Sequence, residues 1–68
     1  MKEVVMNNVY ELRGGKGVTQ EELALAVGVS RQTVIAIEKG NYTPSVLLAI
    51  KIARFFRQPV EKVFTLQK

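Results

Sequence analysis

The chain has 68 residues, enough for a single small core, and lacks Cys and His. That excludes disulfides, thiolate or imidazole zinc sites and Cys/His nucleophile–base pairs. Ten Lys/Arg against six Asp/Glu leave a net charge of +4, a balance that favours polyanions such as nucleic acid. The two Tyr and three Phe do not interleave with basic residues, so a single-strand stacking platform is not expected.

In chain order, MKEVVMNN lacks the apolar run of a signal peptide, and no later stretch approaches a membrane span. A cytoplasmic protein with no membrane partner is the expectation. The β-prone ends, Glu3-Val4-Val5 and Phe64-Thr65-Leu66, can pair with each other or across a dimer, although frayed termini are the default for terminal segments. A first helix is expected from about Asn7 to Gly15, with Val9 and Leu12 on its core face and Gly14-Gly15 weakening its end.

Residues 19–40 hold the strongest signal. Thr19 and Glu22 form the S/T-x-x-E capping box that opens a second helix, whose Leu23, Ala24 and Val27 share one face. Gly28 stops it, because a left-handed C′ residue strains almost any side chain with a Cβ. Val29 plugs the turn, Ser30 caps a third helix with Val34 and Ile37 apolar, and Gly40 closes it. Two short helices joined by a tight Gly-containing turn describe a DNA-binding helix-turn-helix.

The loop NYTP leads to a fourth helix, about Ser45 to Phe56, with Pro44 suited to its first turn and Thr43 or Ser45 as cap. At about 100° per residue, Leu48, Ala49, Ile52, Ala53 and Phe56 gather on one side. Leu47 falls between Lys51 and Arg54 on the opposite, wet face. Arg57-Gln58 forms the next turn, and a short fifth helix near Pro59 to Val63 carries Val60, Val63 and Phe64.

The run GVSRQTVIAIEKG from Gly28 to Gly40, with ELRGGKGVTQEELA before it and NYTPSVLLAIKIARFF after it, resembles the lambda-repressor/Cro-type helix-turn-helix family, often called XRE. The resemblance covers roughly residues 6 to 65. It implies an all-α, compact five-helix domain spanning residues 1–68, with helices 2 and 3 as the motif. It also implies a phosphate-contacting Gln20 and an ion pair between Arg13 and Glu38. Two departures stand out: the family more often carries charged helix formers at Gly14-Gly15 and Gly in the Arg57-Gln58 turn.

In helix-turn-helix docking, the second motif helix enters the major groove with its N-terminal residues aimed at base edges. Those residues are Ser30, Arg31, Gln32 and Thr33, with Ile35 and Ala36 one turn on. Arg31 can pair bidentately with guanine and Gln32 with adenine, while Ile35 and Ala36 suit thymine methyl groups. Phosphate contacts are expected from Gln20, at a helix N-terminus, and from Lys16, Lys39, Asn41 and Tyr42. Leu47, Phe55, Phe64 and Leu66 are the candidate dimer surface, because a domain this small gains stability by association.

No catalytic site emerges. GGKGVT at 14–19 lacks the phosphate-loop pattern and follows no strand, and the adjacent Glu21 and Glu22 point in different directions. The expected function is that of a sequence-specific, duplex-DNA-binding transcriptional regulator without cofactor or metal, acting as a homodimeric repressor on a palindromic operator. The alternatives are an antitoxin that also binds a toxin protein, and a protein-interaction module on the same scaffold.

Overall fold

The computed structural model describes residues 3–67 of the chain. Its elements run β1 (Val4–Asn7), α1 (Val9–Lys16), α2 (Gln20–Val27), α3 (Arg31–Glu38), α4 (Val46–Phe55), α5 (Val60–Val63) and β2 (Phe64–Gln67). The five-helix, all-α architecture with α2 and α3 as the helix-turn-helix is the one the sequence implied. Met1, Lys2 and Lys68, the ends of the expected 1–68 domain, lie outside the described residues.

The helices start where short polar side chains can satisfy the first backbone N–H groups. The Thr19 hydroxyl accepts from the Glu22 N–H at 3.0 Å, and the Glu22 carboxylate accepts from the Thr19 N–H at 2.9 Å, completing the capping box. Ser30 caps α3 by accepting from the Thr33 N–H, and Ser45 caps α4 by accepting from the Leu48 N–H. Ser45 therefore fills the role that Thr43 shared in the sequence reading. Pro44 precedes the cap and does not enter the first turn of α4.

The first four helices stop in the same way. In each, an N–H five residues on closes back over the last turn: Val18 to Arg13, Val29 to Ala24, Asn41 to Ala36 and Gln58 to Ala53. That closure needs a left-handed residue in between, supplied by Gly17, Gly28, Gly40 and, at the end of α4, Arg57 at φ +56°. Helix α1 begins at Val9, two residues after the expected Asn7, which belongs to β1, and runs through Gly14 and Gly15 to Lys16, one residue past the expected end, with Gly17 at its left-handed stop.

Frayed termini are the expectation that fails. Strands β1 and β2 pair antiparallel, with Val4 opposite Gln67, Val5 opposite Leu66, Met6 opposite Thr65 and Asn7 opposite Phe64. The pairing is anchored because Val63, 1% exposed, and the half-buried Phe64 pack into the core just as the chain enters β2.

One cluster of buried side chains joins every helix: Val9 from α1; Leu23, Ala24 and Val27 from α2; Val34 and Ile37 from α3; Leu48, Ile52 and Ala53 from α4; Val63 from α5; and Phe56 just beyond α4. Burying a Val, Leu or Ile contributes about 1.5–3 kcal/mol each. The cluster therefore fixes α3 by its Val34/Ile37 side and leaves the opposite side outward.

Candidate nucleic-acid interface

The outward side of α3 is polar at its first turn. Ser30, Arg31 and Gln32 are exposed, and Thr33, Ile35 and Ala36 are half-buried. The Ser30 and Thr33 hydroxyls lie 3.1 Å apart and hold each other beside the cap. The groups available for new hydrogen bonds at this end are the side chains of Arg31 and Gln32. Ile35 and Ala36 follow one turn on, with part of their apolar surface open.

The other end of α3 is tied down. Arg13 of α1 donates through Nε to Glu38 Oε2 at 2.6 Å and through Nη2 to Glu38 Oε1 at 3.2 Å. Its Nη1 donates to the Val18 carbonyl at 2.9 Å. Gln20 adds a third donor to the same carboxylate, Nε2 to Oε1 at 3.1 Å. The paired side chains are 13% and 6% exposed, so the bridge is shielded from solvent. Donating to the Glu38 carboxylate raises the Arg13 pKa above its ordinary value, with burial partly opposing it. A raised pKa contributes stability that is lost only as pH climbs through it, so Arg13 stays charged across the accessible range.

A fourth tie comes from a residue that sequence reasoning did not single out. Asn7, the last residue of β1, donates through Nδ2 to the Ile37 carbonyl at 2.9 Å and accepts from the Val9 N–H at 3.0 Å. It joins the sheet to the last turn of α3 and to the start of α1. Asn-Asn before an apolar run is the sequence signal, but it reads locally as a cap and says nothing about a partner 30 residues away.

The structure sorts the remaining candidates. Gln20 lines an open concavity of about 520 Å³ together with Arg13, Thr19, Glu21 and Arg31, so the start of α2 and the start of α3 face one space. Lys39, Asn41 and Tyr42 are exposed just beyond the tied end of α3. Lys16 does not join either group: its Nζ sits 5.4 Å from the centre of the Phe55 ring. Phe55 is half-buried and also meets Phe56 edge-on at 5.1 Å. Leu47 is exposed on the first turn of α4 beside Val27, Val29 and Tyr42, whereas Phe64 and Leu66 belong to β2.

This frame defines a class, a small helix-turn-helix domain whose second motif helix is packed on one side and polar at its leading end. The Helix-turn-helix family model matches residues 9–63. The chain belongs to that family, of the lambda-repressor/Cro-like XRE type, whose members are DNA-binding transcriptional regulators and not enzymes. It is 55% identical over 62 residues to the uncharacterized HTH-type transcriptional regulator YgzD of Bacillus subtilis, covering 91% of this chain and 94% of that protein. It is 53% identical over 58 residues to an uncharacterized HTH-type transcriptional regulator of Methanocaldococcus jannaschii, covering 85% and 88%. Among solved structures it resembles the restriction-modification controller protein C.AhdI of Aeromonas hydrophila, with a TM-score of 0.74, 31% identity and coverage of 79% and 82%. Among the described residues, no helix is long and apolar enough to cross a membrane.

Proposed function

We propose that the chain binds duplex DNA sequence-specifically and represses transcription as a homodimer on a palindromic operator. The observation that carries this reading is the two-ended character of α3: a first turn with free Arg31 and Gln32 side chains, and a last turn held by Arg13, Gln20 and Asn7 through Glu38 and the Ile37 carbonyl. A rigid helix that offers unpaired donors and acceptors at its leading end suits the major groove.

In this reading Arg31 pairs with guanine O6 and N7 and Gln32 with adenine N6 and N7, while Ile35 and Ala36 lie against thymine methyl groups. Ser30 and Thr33 complete the reading turn. Gln20 places its side chain and the N–H groups of α2 toward a phosphate, and Lys39, Asn41 and Tyr42 hold the backbone beyond the last turn. Lys16, engaged with Phe55, takes the smallest part.

Dimerisation supplies the second half-site, with equivalent recognition helices about 34 Å apart. The surface proposed for it is that of Leu47, Phe55, Phe64 and Leu66, of which Leu47 and Leu66 are exposed; Val4 and Met6 are exposed on the other face of the sheet, since Leu66 pairs with Val5. A two-stranded sheet is marginal by itself and leaves open edges that a second copy can cover. The transcriptional regulators among the relatives support the regulatory role.

Selection from a random duplex pool at physiological salt, followed by sequencing of the bound fraction, tests the reading. It requires an enriched palindrome with half-sites one helical turn apart. Retention that shows no preferred sequence and disappears as salt rises would instead leave only counterion-release binding.

A further inference from the structure

Gln20 stands in two places at once. Its Nε2 donates to Glu38 Oε1 at 3.1 Å, tying α2 to the last turn of α3. The same side chain half-emerges into the open concavity that it shares with Arg13, Thr19, Glu21 and Arg31. Amide chemistry allows both. A carboxylate only accepts, so the bond to Glu38 settles which way the Gln20 amide faces: nitrogen toward the carboxylate, carbonyl oxygen away. A primary amide carries two N–H bonds, and Glu38 engages one of them.

Glu38 is itself held fast. Arg13 grips both carboxylate oxygens, at 2.6 and 3.2 Å, and is braced on the Val18 carbonyl. The Glu38 side chain is 6% exposed, and its charge is matched by the guanidinium before it can repel an anion beside Gln20. Arg13 is thus committed, and the exposed Glu21 offsets the exposed Arg31 on the same rim. A phosphate there depends on donors held in the right direction more than on net charge.

We infer, on the DNA-binding reading above, that Glu38 is a positioning residue for the phosphate contact of Gln20. It meets no DNA itself. By taking one N–H of the amide it aims the other at a phosphate oxygen, so a long side chain is already ordered when DNA arrives. One carboxylate then sets both the seat of α3 and the grip of α2 on the backbone. Asn7 supplies the contrast: it ties the same turn of α3 through the Ile37 carbonyl and bonds to neither Glu38 nor Gln20.

The test uses the whole chain and an operator duplex from the random-pool selection, carrying one uncharged methylphosphonate at each backbone position in turn. All binding is read well below each variant's melting temperature. At one position per half-site the wild type should lose about tenfold in affinity, as for one charge-assisted hydrogen bond. Gln20→Ala should be indifferent to that position. Glu38→Gln should lose most of the sensitivity too, because its new amide no longer fixes the Gln20 nitrogen, and should cost little further in a Gln20→Ala background. Asn7→Ala should keep the full sensitivity, whatever its overall affinity. In the free protein, one Gln20 side-chain N–H proton should exchange slowly with water, unlike those of the exposed Gln32, and should lose that protection in Glu38→Gln. Full sensitivity in Glu38→Gln, additive losses in the double variant, or an unprotected Gln20 amide overturns the inference. Lost sensitivity in Asn7→Ala does so as well, since any loosening of α3 would then suffice. An operator read without a sensitive position sinks the inference alone, whereas failure to select any operator sinks the DNA-binding reading and the inference with it.

Discussion

The two ends of α3 differ more than their eight residues of separation suggest. At the Glu38 end, three side chains from β1, α1 and α2 converge on one carboxylate and one carbonyl. At the Ser30 end, the hydrogen bonds are those of the cap itself, and Arg31 and Gln32 are exposed. One end was built for position and the other left unfinished. A helix that reads sequence needs both, because unsatisfied groups give specificity only if their placement costs nothing at the moment of binding.

The contrast can be broken most strongly from below. Ile37, 1% exposed, is the core residue under the tied end. Ile37→Ala should cost about 3 kcal/mol of unfolding free energy, read by chemical or thermal denaturation. Glu38→Ala removes the acceptor shared by Arg13 and Gln20 and leaves a shielded guanidinium without its carboxylate. About 2–3 kcal/mol is expected from this loss, with looser DNA discrimination in the surviving folded fraction. An Arg13→Ala/Glu38→Ala double-mutant cycle should show coupling of at least about 1 kcal/mol, and additive losses would remove the pair from the account.

At the free end the balance reverses. Arg31→Ala should leave the melting temperature nearly unchanged, as befits an exposed side chain with a stability effect within about 0.5 kcal/mol. Binding to the selected operator should weaken by about 1–3 kcal/mol. The smallest effect should come from outside α3. Arg57 holds at φ +56° the position that glycine holds at the ends of α1, α2 and α3. Arg57→Gly should therefore raise stability by about 0.5–1 kcal/mol without altering the operator, as thermal melts and binding curves would show.

Most of this contrast was legible in the chain, for local reasons. Thr19 with Glu22, Ser30, Gly28 and Gly40 are signals within one turn of the structure they set, so α2 and α3 appeared at nearly their observed bounds. Residues that act across the fold were another matter. The β1–β2 pairing joins segments some sixty residues apart with no hairpin turn between them, so only strand propensity spoke for it. Asn7 gave a local capping signal and not its reach to Ile37. Arg57 does not itself signal a left-handed backbone; the only sign was the glycine that the resembling family carries in that turn. The Arg13–Glu38 contact came from family resemblance, and neither residue's neighbourhood pointed to the other.

The most direct test of the two-ended helix is to repeat the duplex-pool selection with Gln32→Ala beside the wild type. The account expects both to enrich a palindrome of the same half-site spacing, with preference relaxed at one base position per half-site in the variant. Identical motifs from the two proteins, with only a uniform loss of affinity, would contradict it. Gln32 would then be holding the backbone, and the exposed end of α3 would not be what reads the sequence.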